Sequence, residues 1–181
     1  MSPRRAALLR FVAGTAAGLA LGFAAPAQAD SPLEVAVKAT YLYKFAAFVE
    51  WPSIDSAGAE PLQLCVAGDD PFGPVLEQAV RGQKVGAHPV VLVHLDHVDR
   101  GAACHILFLA PSRRQSVAEA LDKVRGAAIL TITDGAPDSA SRGMVDFVLK
   151  EGRVRFRIDD RAADRAKLVV SSKLLSLAVR P

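Results

Sequence analysis

The chain has 181 residues, 51% of them apolar, with 22 basic residues against 19 acidic ones. Three of the basic residues (Arg4, Arg5 and Arg10) and none of the acidic ones lie in the first 29 positions, so the remainder balances 19 against 19. That balance argues against a nucleic-acid surface, which needs clustered Lys and Arg.

The first segment reads as an export tag. A positive head precedes an apolar run from Phe11 to Ala25, about the length of a signal-peptide h-region and short of the roughly twenty residues that span a bilayer. Ala27-Gln28-Ala29 is an A-x-A cleavage signal that leaves Asp30 as the new N-terminus. Arg4-Arg5 hints at twin-arginine export, but the general secretory route is the default. With no cysteine near the cleavage site, the pattern is not that of a lipoprotein. The expected organisation is a signal peptide over 1–29 and a single domain over 30–181.

The mature chain opens with a helix. Ser31 serves as N-cap, Pro32 takes the first helical position, and Glu34 stands where a capping box places an acid. The helix is expected to run from Leu33 to Trp51, where Pro52 ends it. It carries Tyr41, Tyr43, Phe45, Phe48 and Trp51 and is apolar on nearly every side; a surface helix has one apolar stripe. Its second apolar face is covered either by a partner or by the chain's own loop Ser53–Glu60 and last helix.

Alternating elements follow. Pro61–Ala67 reads as a short strand, Phe72 to Val80 as a helix and Pro89–Leu95 as a β-branched strand. His105–Ala110 is continuously apolar, as a strand covered on both faces should be. Ser112 is expected to cap a helix to Arg125, and Ala128–Thr133 is another buried strand. Gly135–Gly143 reads as a loop. Gly143–Lys150 and Arg153–Ile158 flank a hairpin turn at Glu151-Gly152. Asp159 or Asp160, then Ser171 or Ser172, cap two short helices. The pattern predicts an α/β three-layer sandwich with a mixed, mostly parallel sheet of about five or six strands.

Candidate chemistry is sparse. His88, His94, His97 and His105 fall close together, but not at a zinc-ligand spacing, so no metal or cofactor is expected. Ligands of open α/β sheets favour the carboxyl ends of the strands. There the sequence offers Asp69, Asp70, Arg113, Arg114 and Asp134. Two arginines in a helix's first turn oppose its dipole unless an anion or carboxylate answers them. The rim is therefore either a small-anion site or a set of local ion pairs. G-x-S-x-G, Walker A and G-x-G-x-x-G patterns are all missing, which weighs against a hydrolase at this rim and against enzymatic function generally. Arg153, Arg155 and Arg157 alternate with Val154, Phe156 and Ile158, a basic row over a core row. That row is either a partner surface or a charge-protected edge. Cys65 and Cys104 are two in number; in an oxidising compartment that suggests one disulfide, the alternative being two buried thiols.

The blocks KATYLYKFAAFVEWP (Lys38–Pro52), LCVAGDDPFG (Leu64–Gly73), CHILFLAPS (Cys104–Ser112), ILTITDG (Ile129–Gly135), GMVDFVLKEGRVRFRID (Gly143–Asp159) and LVVSSKLLSLA (Leu168–Ala178) occur in order and cover nearly the whole mature chain. In these the sequence resembles the YfiR family. The resemblance implies a periplasmic repressor that binds the sensor domain of an inner-membrane diguanylate cyclase and keeps cyclic di-GMP and biofilm formation low. It also implies a homodimer and, as in some members, sequestration by an outer-membrane lipoprotein. Cys65 and Cys104 match a cysteine pair of the family; a second pair found in some members is missing here, so two-bridge redox sensing is not implied. The residues proposed to meet a partner or dimer mate are Tyr41, Phe45, Phe48 and Trp51, with Arg153 and Arg155.

Overall fold

The computed structural model describes residues 30–52, 54 and 58–179. The signal-peptide expectation and part of the Ser53–Glu60 loop lie outside these residues. Helix α1 spans Pro32–Lys44, and Ser31 accepts a hydrogen bond from the Glu34 N–H at 3.2 Å. It stops earlier than the sequence suggests. Phe45–Phe48 tightens into a 3-10 turn, and Val49–Glu50 is already extended as strand β1. The reason is non-local: β1 pairs antiparallel with Val169–Val170, and the Ser171 N–H donates to the Phe48 carbonyl at 2.9 Å.

The remaining elements are β2 (Leu62–Ala67), α2 (Pro74–Val80), β3 (Lys84–Val85), β4 (His88–Leu95), β5 (Ile106–Leu109), α3 (Val117–Lys123), β6 (Leu130–Asp134), β7 (Val145–Lys150), β8 (Arg153–Ile158), α4 (Asp160–Arg165), β9 (Val169–Val170) and α5 (Ser172–Leu177). The main sheet has seven strands in the order β3-β4-β2-β5-β6-β7-β8. The five inner strands are parallel; β3 and β8 are antiparallel edges. The strand beyond the expected five or six is β3, only two residues long and set by its turn back into β4.

Strand alternation builds the layers. Leu64, Val66, Ile106, Phe108 and Ile132 point to one side, into a core shared with Leu42 and Phe45 of the first helical segment and Leu76 of α2. Cys65, Ala67, Leu107 and Leu109 point to the other, where Ala120 and Val124 of the α3 region cover them. The result is the α/β layering that the sequence predicts, with a larger core on the α1 side.

Candidate interaction site

Strand β2 lies between β4 and β5, so the strand order reverses there. In doubly wound sheets this switch point is the usual ligand crevice. Here it is zipped shut. The Ala110 N–H donates to Ala67 O at 2.9 Å and the Asp69 N–H to Pro111 O at 3.2 Å. Gly68 sits at φ +93°, and a Cβ there would lie 2.1 Å from Ala110 O. The void left is about 10 Å³, against roughly 300–1,000 Å³ for small-molecule pockets.

The expected rim residues part company. Asp69 and Arg113 are exposed, and Arg114 pairs with exposed Asp96 at 3.1 Å. Ser112 does not cap the helix; its hydroxyl accepts from the Arg114 and Gln115 N–H groups and closes a turn. The helix starts at Ser116, whose capping box with Glu119 satisfies both backbone donors. Arg113 and Arg114 thus precede the helix, and the dipole argument for an anion lapses. Asp70 accepts from the Phe72 and Gly73 N–H groups, shaping the entry to α2.

Asp134 turns instead to the opposite layer, where Lys38 of α1 reaches the end of β6. The Lys38 side chain is 4% exposed, and its ammonium lies 2.5 Å from Asp134, 2.6 Å from Asp30 and 2.8 Å from Glu34. Burial alone would lower its pKa, but the three carboxylates override this and hold it charged well above the usual lysine range. One cation cannot neutralise three anions. Asp134 is accordingly pushed up, first by burial and then by Asp30 and Glu34, against the pull of Lys38. Beside this cluster the hairpin tip and α1 enclose an open groove of about 780 Å³. Leu33 and Leu149, among the most exposed large apolar residues described, both line it.

A second polar node lies on the other face of the sheet. Asp146 is fully buried on β7, directly across from Arg157 on β8. Its carboxylate accepts from Arg157 Nη2 at 2.7 Å, Thr133 Oγ1 at 2.8 Å and the Ala136 N–H at 3.0 Å, with Arg142 Nε 3.9 Å away. This ties the loop before β7 to the hairpin. The Nε–H groups of Arg142 and Arg157 are buried without an acceptor among the described residues.

The sulfurs of Cys65 and Cys104 are joined, linking β2 to the segment entering β5 across 39 positions with Cα atoms 5.9 Å apart. Next to Cys104, the His105 Nδ1 accepts from the Gln63 N–H at 2.9 Å, and its carbonyl accepts from Trp51 Nε1 at 3.2 Å. Burial, with the nearby His88, lowers the His105 pKa below its usual value; Glu60 opposes this. A neutral ring is what the Gln63 contact needs.

The aromatic helix is spent largely inside. Phe45 and Trp51 are core residues at 1% and 7% exposure, and Phe45 stacks with Tyr41 and meets Phe147 and Phe156. The expectation that Phe45 and Trp51 present themselves to a partner is corrected by this packing. Tyr41 and Phe48 stay half-buried at the surface, and Arg153 and Arg155 are exposed on β8. Sequence reasoning missed Lys38 and Asp146. The available signals were a lysine within an apolar helix face and a lone carboxylate in a buried strand opposite an arginine.

The fold and these sites define an α/β module that, among the described residues, offers open grooves and a charged ladder in place of a switch-point cavity. Its family is shown by sequence: the model of the YfiR/HmsC-like family matches residues 35–179, and the chain belongs to that family. The family is regulatory, acting in the periplasm on diguanylate cyclase. No curated protein matches the chain. Among the described residues no helix is long and apolar enough to cross a membrane.

Proposed function

We propose that this chain is a periplasmic negative regulator. Exported by a cleaved signal peptide over 1–29, it binds the sensor domain of an inner-membrane diguanylate cyclase and lowers cyclic di-GMP. The observation that carries this reading is the family match over 35–179. The zipped switch point supports it, because a small-ligand sensor would use that crevice. The rival anion-binding reading loses its rim, since Asp134 pairs with Lys38 and Arg114 with Asp96.

The mechanism is a population shift. A repressor inhibits only as far as it prefers the inactive cyclase over the active one. Tyr41 and Phe48, with Arg153 and Arg155, are the proposed contact residues for the cyclase or for a second copy in a homodimer. An outer-membrane lipoprotein would relieve repression by competing for the free protein.

The test is cellular cyclic di-GMP in the native host with the gene deleted and restored. A rise on deletion, reversed by the exported protein but not by a copy lacking residues 1–29, is the expected result. Unchanged cyclic di-GMP with a cyclase expressed overturns the reading.

A further inference from the structure

The two strands at the β8 edge carry a charge pattern that the chain does not use. On the face away from α1, cross-strand register sets Asp146 against Arg157, Val148 against Arg155 and Lys150 against Arg153. The cluster under α3 contains residues of β2 and β5 and Ile129 just before β6, and no described residue of β7 or β8 belongs to it. The 135–143 loop covers only the Asp146 end, through the Ala136 N–H and Arg142. Lys150, Arg153 and Arg155 run out into solvent.

This face holds five cations, counting Arg142, against Asp146. Asp146 is already saturated by Arg157, Thr133 and Ala136. Even with Glu151 at the turn and Asp138, which feels the charge of Arg142, a net charge of +2 remains (five cations less three anions). Like charges directly opposite on a ladder, as Lys150 and Arg153 are, destabilise it unless something answers them.

We propose that this ladder docks an extended acidic segment of a partner protein, one with carboxylates at alternate positions. The spacing is the reason. Arg153 and Arg155 stand two residues apart, roughly 6.6 Å, which is the same-face repeat of another extended chain, while Arg157 on the same face is held by Asp146. Arginine forks pair with carboxylates in two parallel hydrogen bonds. A lipid surface fits less well. Membrane-binding faces place apolar side chains among their cations, whereas on β7 and β8 this face carries the half-buried Val148 alone, and the exposed Leu149 is paired with Val154 on the opposite face.

The probe is a labelled peptide of alternating Glu and Thr. It is titrated by fluorescence anisotropy into the mature chain and compared with a block peptide of the same composition and with phosphatidylglycerol vesicles. The expected result is salt-sensitive binding of the alternating peptide in preference to the block peptide. The double variant R153E/R155E, at exposed positions, should weaken binding about tenfold or more, and K150E should weaken it to a smaller degree. R100E, a charge reversal away from the hairpin, should leave it unchanged. Circular dichroism confirms that each variant is folded. Equal binding of the two peptides, undiminished binding by both hairpin variants, or binding confined to vesicles overturns the proposal. Because the probe is a peptide, these outcomes are independent of whether the chain represses a cyclase.

Discussion

Lys38 and Asp134 stand 96 positions apart in sequence and 2.5 Å apart in space. Their contact fastens the N-terminal helix to the carboxyl end of β6, with Asp30 and Glu34 on the same ammonium. Lys38→Met leaves three carboxylates facing one another at a buried position. The expected cost is about 3 kcal/mol, read as a lower urea midpoint. Asp134→Asn should cost less, because Lys38 keeps two partners. An equal loss in both variants would show that the pair, not the cluster, carries the stabilisation.

Two groups set opposite pH slopes. His105 is held below its usual pKa, so the unfolded chain takes up its proton first. Its stabilising contribution is complete above about pH 6.5 and declines as pH falls through the lowered folded value. His105→Asn, with an amide oxygen in place of Nδ1, should flatten that decline in urea titrations between neutral and mildly acidic pH. Asp134 acts the other way. Its raised pKa means that the folded chain binds the proton more tightly, so its contribution improves as pH falls toward the ordinary carboxylate value of about 3.9. Asp134→Asn should remove that component.

Reducing the Cys65–Cys104 bridge opens a loop spanning 39 positions. The chain-entropy account puts the loss at about 4 kcal/mol. Thermal melts with and without reductant, and of the C65A/C104A double variant, should show matching drops. A melt unmoved by reductant would mean that the bridge contributes nothing in solution.

Asp146→Ala strands Arg157 and Arg142 around an empty centre and frees the Thr133 and Ala136 donors. The expected loss is about 3 kcal/mol, since Arg157 and Arg142 are partly exposed. Asp146→Asn keeps the acceptor for Thr133 and Ala136 and should lose about half as much. Chemical denaturation separates the two.

Gly68→Ala tests the zipped switch point. The added methyl group would meet Ala110 O at 2.1 Å, in a backbone conformation that side chains rarely adopt. The strands must part or the loop must refold, at a cost of about 2 kcal/mol or more. Faster amide exchange at Asp69 and Ala110 would locate the damage.

Much of this architecture can be read locally. Ser31 and Pro32 announce α1, and Glu151-Gly152 announces the hairpin. The alternation of apolar runs with turn residues gives the layered sheet. What escapes local reading is set from a distance. The 3-10 turn after Lys44 exists because Val49 and Glu50 are claimed by β9. Ser112 looks like a cap, yet Ser116 with Glu119 makes the better box and takes the helix. Phe45 and Trp51 look like surplus apolar surface until Phe147 and Phe156 of the hairpin meet Phe45 and His105, just before β5, meets Trp51. The pairing of Lys38 with Asp134 has no local signal, because composition does not say which carboxylate a buried lysine will meet.

The two-strand clasp of β1 and β9 also dictates an order of assembly. Val49 and Val170 are register partners although all seven strands of the main sheet lie between them in sequence. Short-range pairings close at lower entropic cost than long-range ones, so the aromatic segment lacks its partner strand until the chain beyond the main sheet folds back onto it. A chain cut short before Val169 would keep an open strand at β1 and an unsealed core above it. The clasp is therefore the contact with one of the largest closure costs in the fold, and it seals the aromatic segment only once a loop holding the whole main sheet has been closed.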